Sequence, residues 1–157
     1  MSIQQKMKSA LAGMSGGGPH DLNVDQGDLR LDCQIASADP LAVSITRLEL
    51  TTDRLAGAEV ADLQRISEQL AERITYLLEP IGPVESDSER CVVQMRSIPP
   101  QQDDDGTSYY ELLIRRGGSL ALARYQQTGP TGRQSVPAVV TREVLLRLAG
   151  DFAAVVE

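Results

Sequence analysis

The side chains able to do chemistry are few and far apart. His20 is the only histidine, and it stands in a Gly-Pro stretch that breaks regular structure. A Ser-His or Cys-His nucleophilic site therefore has no base in a positioned element. Cys33 and Cys91 are the only cysteines; their spacing fits no zinc motif, and one pair makes no disulfide framework in a chain this size. Each lies in an apolar alternating run, which predicts a buried free thiol. Asp103-Asp104-Asp105-Gly106 resembles a cation loop at first sight. An EF-hand loop counted from Asp103 needs glutamate at its twelfth position, where Ile114 stands, so a solvated acidic loop is expected instead. Gly16-Gly17-Gly18 and Gly117-Gly118 lie between no strand and helix and lack a GKS/T ending, so neither is a phosphate cradle. The residues predict no catalytic constellation, no cofactor and no metal.

Composition narrows the classes further. With 157 residues the chain suits one domain with a real core. One Phe, four Tyr and no Trp leave little for base stacking or for sugar platforms. The net charge of −7 disfavours nucleic acid and anionic membrane as partners. The N-terminal twenty residues hold no apolar run long enough for a signal peptide or a membrane span, so a cytoplasmic location is expected.

The elements follow from periodicity. Residues 1–27 read as a flexible N-terminal segment, with a short helix through Ile3, Met7, Leu11 and Met14 and a Gly-rich linker after it. Residues 28–157 read as a single α+β domain. Leu29, Leu31, Cys33 and Ile35 alternate as a strand, and Leu41, Val43 and Ile45 as its hairpin partner. There the alternation slips before Leu48 and Leu50, so one extra residue near Thr46-Arg47 predicts a β-bulge. Residues 57–79 carry Val60, Leu63, Ile66, Leu70, Ile74 and Leu77 at steps of three and four, which predicts one long helix closed by Pro80. Cys91, Val93 and Met95 give a third strand, between loops over 81–90 and 97–107. Residues 109–126 form a hairpin around a two-residue Gly117-Gly118 turn. The stretch 129–137 is turn-rich, with room for a short edge strand at Pro137. Thr141 N-caps a closing helix whose stripe is Val144, Leu145, Leu148, Phe152 and Val155.

The economical assembly is an antiparallel sheet of about five strands in the order (α)ββαβββα, with the long central helix and the C-terminal helix packed on one face. This order is similar in topology, and in topology alone, to the Roadblock/LC7 family of small dimerising adaptors. Size, acidity and an apolar strand face also resemble small secretion chaperones, although this strand order departs from their βββαββ core.

Two surface features point to function. Under the predicted register, the outer face of the 109–126 hairpin pairs Glu111 with Arg124, Leu113 with Leu122 and Arg115 with Leu120. Leu113, Leu120 and Leu122, rimmed by Glu111, Arg115 and Arg124, then form an exposed apolar patch, the mark of an interface. The second feature is charge polarity: residues 50–107 carry five arginines against twelve acids, whereas 108–149 carry six arginines against two. Arg115, Arg116 and Arg133 are the candidate anion patch. The expectation is a non-enzymatic protein-interaction or adaptor domain, homodimeric through the outer hairpin face or bound to another protein. The alternatives are a small-molecule or anion-binding regulatory domain that uses the Arg-rich C-terminal region, and a secretion-chaperone-like protein.

Overall fold

The computed structural model describes residues 1–14, 16–104, 106–130 and 132–157. Ser15 of the expected linker, Asp105 of the acidic loop and Thr131 of the turn-rich connection lie outside the described residues. The elements run α1 (Ile3–Ala12), β1 (His20–Gln26), β2 (Leu29–Ala38), β3 (Ala42–Thr52), α2 (Val60–Arg73), β4 (Ile81–Asp87), β5 (Val92–Ser97), β6 (Gln101–Asp103), β7 (Gly106–Arg115), β8 (Ser119–Gln127), β9 (Arg133–Val136), β10 (Ala138–Thr141) and α3 (Arg142–Val155). All strand pairs are antiparallel, in one sheet with the main order β1-β2-β3-β8-β7-β5-β4.

The α+β class with an antiparallel sheet is as expected, but the sheet has ten described strands rather than about five. The extra strands share one property: their pairing is not written in apolar alternation. β4 buries only Ile81 and carries Pro83. β1 is polar except for Leu22 and Val24, and β6, β9 and β10 have only three or four residues each. Backbone ladders hold such strands, and a ladder needs no particular side chain. Residues 1–27, expected to be a flexible segment with a short helix, hold that helix and one of the extra strands. There β1 pairs with β2 along its length, and α1 buries Ile3, Met7 and Leu11. Ser2 and Gln5 close the first turn of α1 with a reciprocal capping box.

Two apolar rows cross the sheet under the helices. Val24, Leu31, Leu50, Leu120, Ile114 and Val93 are successive register partners in one, and Leu22, Cys33, Leu48, Leu122, Leu112 and Met95 in the other. These rows, with the buried faces of α1, α2 and α3, make up one core. The predicted bulge is present: Gln34 pairs with Arg47 and Ile35 with Ile45, which leaves Thr46 as the extra residue.

Two helix boundaries and one register set up the site. Thr141 caps α3 as expected by accepting from the Val144 N–H at 3.1 Å. The long helix instead stops at Arg73, well before Pro80. Ile74 and Leu77 remain buried, but on an irregular tail rather than on a helix. Thr75 and Tyr76 are poor helix formers, and the Tyr76 hydroxyl is tied to Asp151 at 2.6 Å. Between β3 and β8 the sheet splits. The two pair only through Leu48–Thr51 and Ser119–Leu122; beyond that point β9 pairs with β8 and β10 with β3. Pro137 separates these two short strands, where its missing N–H breaks the ladder.

Candidate functional site

The end of the α2 tail and the β9–β10 insertion leave a groove on the helix side of the sheet. It encloses about 520 Å³ and is bordered by Tyr76–Glu79 on one side, by Pro137, Val139 and Val140 on another, and by Tyr110 and Arg124 at its floor. Its rim is apolar and open: Leu78 is 98% exposed and Val139 70%. Leu78 also holds φ at +66°, a left-handed conformation that costs a branched side chain roughly 1–3 kcal/mol unless its surroundings impose it. The groove thus displays two aliphatic side chains, one of them held there by a strained backbone.

A buried ion pair lies in its floor. Glu79 Oε2 is 2.9 Å from Arg124 Nη2, with 10% and 12% of the two side chains exposed. The Arg124 guanidinium also lies 4.5 Å from the Tyr110 ring centroid and donates to Gln101 Oε1 at 3.2 Å. Glu79 Oε1 and Arg124 Nη1 are buried and find no partner among the described residues. Burial raises the Tyr110 hydroxyl above its ordinary pKa, so Tyr110 stays a neutral phenol. Below the groove, Tyr76 carries the Arg147 guanidinium 4.3 Å above its ring, while Asp151 accepts from the Tyr76 hydroxyl and from Arg73. Burial and the Asp151 hydrogen bond push the Tyr76 pKa up. These contacts fix the tail against α3.

The predicted interface residues do not assemble as expected. The turn after β7 has three residues, so Arg115 pairs with Ser119, Ile114 with Leu120, Leu112 with Leu122 and Leu113 with Ala121. This is one residue away from the expected register. Gly118 is the cause: it takes φ +104°, its carbonyl accepts from Thr52 N at 2.8 Å, and an added Cβ would collide with the Thr52 carbonyl. Leu120 and Leu122 consequently point into the core at 0% and 1% exposure. Of the three leucines only Leu113 stays on the outer face, half-buried beside Ala121.

The charges re-pair in the same way. Glu111 faces Ala123 rather than Arg124. It is 4% exposed on the outer face, with Arg133 Nη1 at 2.7 Å and the Gln94 amide at 2.8 Å. Arg133 lies over the Tyr125 ring at 3.8 Å and donates to Tyr109 Oη at 3.3 Å. The Glu111 hydrogen bond is the main reason its pKa rises.

The anion patch dissolves as well. Arg115 and Arg116 are exposed at the turn, whereas Arg133 is engaged by Glu111, four residues and roughly 13 Å along β7 from Arg115. Elsewhere in the Arg-rich region, Arg142 donates to the carbonyls of Leu11 and Asp39, and Arg147 packs on Tyr76.

Among the described residues no group of three or more His, Cys, Asp or Glu side chains converges on a metal position, and no helix is long and apolar enough to cross a membrane. Cys33 and Cys91 are buried free thiols; burial, with Asp21 adding to it, pushes the Cys33 pKa up to about 12. Comparison with protein families, with curated proteins and with solved structures finds no match. Sequence reasoning missed Leu78, Glu79, Tyr110 and Val139 as a group. The one available signal was the low helix propensity of Thr75-Tyr76 ahead of Pro80, which marks an early end to the helix.

Proposed function

We propose that this chain is a non-enzymatic protein-interaction domain that docks a partner polypeptide in the groove between the α2 tail and β10. The observation that carries the reading is the pair of exposed aliphatic side chains, Leu78 and Val139, on the rim of a concave site. Concave apolar sites with a few buried polar groups are the usual form of a recognition surface. Affinity capture with the wild-type protein and with L78K/V139K tests the reading. Both positions are solvent-facing, so the variant keeps its fold. The proposal expects bound protein to be lost from the variant, and equal recovery removes the groove from consideration.

Self-association through the outer hairpin face is the second reading. Leu113, Ala121, Val92 and Ala123 make a narrow apolar strip there, on a sheet face that no helix covers. A light-scattering mass at micromolar concentration decides it: a dimer that L113K converts to monomer supports this face, and a monomeric wild type removes it.

A further inference from the structure

We infer that the groove takes its partner by strand addition: an extended, uncharged segment with apolar side chains pairs through its main chain with the free edge of β10. This rests on the reading of the groove as a docking surface and names how that surface binds. Val139 and Val140 project to opposite sides of β10, one 70% exposed and the other 7%. A cavity bordered by both therefore lies against an edge of the strand. β3 occupies one edge. The groove lies along the other, where no strand pairs with β10 among the described residues.

The ladder shows which groups face that edge. One step beyond the Thr141–Ala42 pair, the Arg142 N–H donates to the Leu41 carbonyl at 3.2 Å. Hydrogen-bonded and non-bonded pairs alternate along an antiparallel ladder. Val140–Val43 and Ala138–Ile45 are thus the bonded pairs, and Val139–Ser44 is not. The Asp39 N–H fixes the same phase, because it donates at 2.9 Å to an Ala42 carbonyl that points away from β10. Val139 consequently turns both its N–H and its C=O away from β3, toward the groove. A donor and an acceptor on one residue of a strand edge are what a second strand pairs with, residue to residue.

The surroundings set the side chains of the occupant. Glu79 and Arg124 are the charged residues that border the groove, and they neutralise each other at 2.9 Å. A charged segment finds no counter-ion there, whereas Leu78, Val139, Val140 and Val144 offer hydrocarbon. The outer edges of the sheet are defended by comparison. β4 carries Pro83, Glu85, Asp87 and a register shift. β1 exposes Asp21 and Asp25, and Lys6 Nζ donates to the Asp25 carbonyl. Charges, prolines and bulges of this kind keep an edge from pairing. β10 presents an exposed valine instead.

The test uses the isotopically labelled full chain and two probes: the peptide N-acetyl-Thr-Val-Thr-Val-Thr-amide, and the same peptide N-methylated at its three central residues. The two share their side chains, but the second cannot donate from its central main chain. In the free protein the Val139 amide should exchange with solvent about tenfold or more faster than the Val140 amide, which is bonded to β3. The unmodified peptide should bind in the millimolar range. At about ten times its Kd it should slow Val139 exchange about tenfold and move that amide proton downfield; the N-methylated peptide should do neither. V139P removes the outward N–H, which the β3 ladder does not use, and should weaken the unmodified peptide about tenfold. The comparison of peptides on the wild-type protein stands even if that variant does not fold. Val139 as protected as Val140 in the free protein, equal effects of the two peptides, no effect of either, or full affinity in V139P overturns strand addition. Val139 protection that rises with protein concentration, without peptide, gives the edge to a second copy and also overturns it. Failure of the docking reading is separate and appears as capture that L78K/V139K leaves unchanged.

Discussion

Glu111 and Arg124 occupy diagonal positions on β7 and β8 yet face opposite sides of the sheet. Glu111 is paired on the open side with Arg133 at 2.7 Å, and Arg124 on the helix side with Glu79 at 2.9 Å. A register change of one residue exchanges every partner on a strand, because side chains alternate with a period of two. Here it moves Leu120 and Leu122 into the core and places two ion pairs where one was expected.

The outer pair is the simpler one to measure. Glu111 is buried while Arg133 is half-exposed, so R133A leaves a buried carboxylate with Gln94 as its remaining side-chain partner. That should cost about 1–3 kcal/mol in urea unfolding. E111L alone also loses the Gln94 contact, and R133A added to it should cost little more. Additive losses from the two changes would show that the residues are not coupled.

Gly118 fixes the register. With φ at +104° and the Thr52 carbonyl against its open face, G118A should lower stability by about 1–3 kcal/mol or more. Gly117 has open space at its Cβ position, and G117A should stay within about 0.5 kcal/mol of wild type. Thermal unfolding of both variants checks the contrast, and equal effects would contradict the three-residue turn.

How much of this could be read in advance is visible in the same hairpin. The alternation of β7 and β8, the Thr46 bulge and the α3 cap were all legible, because each is written in side-chain types. The register was not, because Arg-Gly-Gly-Ser supports a two- or a three-residue turn, and the choice falls to the tertiary contact between Gly118 and Thr52. The edge strands were hidden for a related reason: β4 is held by hydrogen bonds to β5 and buries little. The groove was illegible because it depends on where α2 stops, and a stripe through Ile74 and Leu77 reads as helix although the chain there has left the helix.

Cys33 gives a pH prediction. Its thiol ionises near 9 when unperturbed and near 12 in the fold. Between these values the unfolded chain has lost the proton while the native chain keeps it, so stability falls as pH rises from about 9 to 12. The raised Tyr76 and Tyr110 act in the same direction at the upper end. C33A should flatten the lower part of that slope in denaturant titrations at stepped pH. In native protein at pH 8, Cys33 should resist a thiol reagent that labels it readily once the chain is unfolded.

The groove is the centre of the account, and site-specific photo-crosslinking from inside it is the most direct test. A benzophenone amino acid placed at position 78 or 139 should form adducts with a partner polypeptide, mapping to an apolar stretch of that chain. The same group at position 84, on the β4 edge away from the groove, should not. Adducts of equal yield from position 84, or none from 78 and 139, would contradict the claim that this groove is where the protein meets its partner.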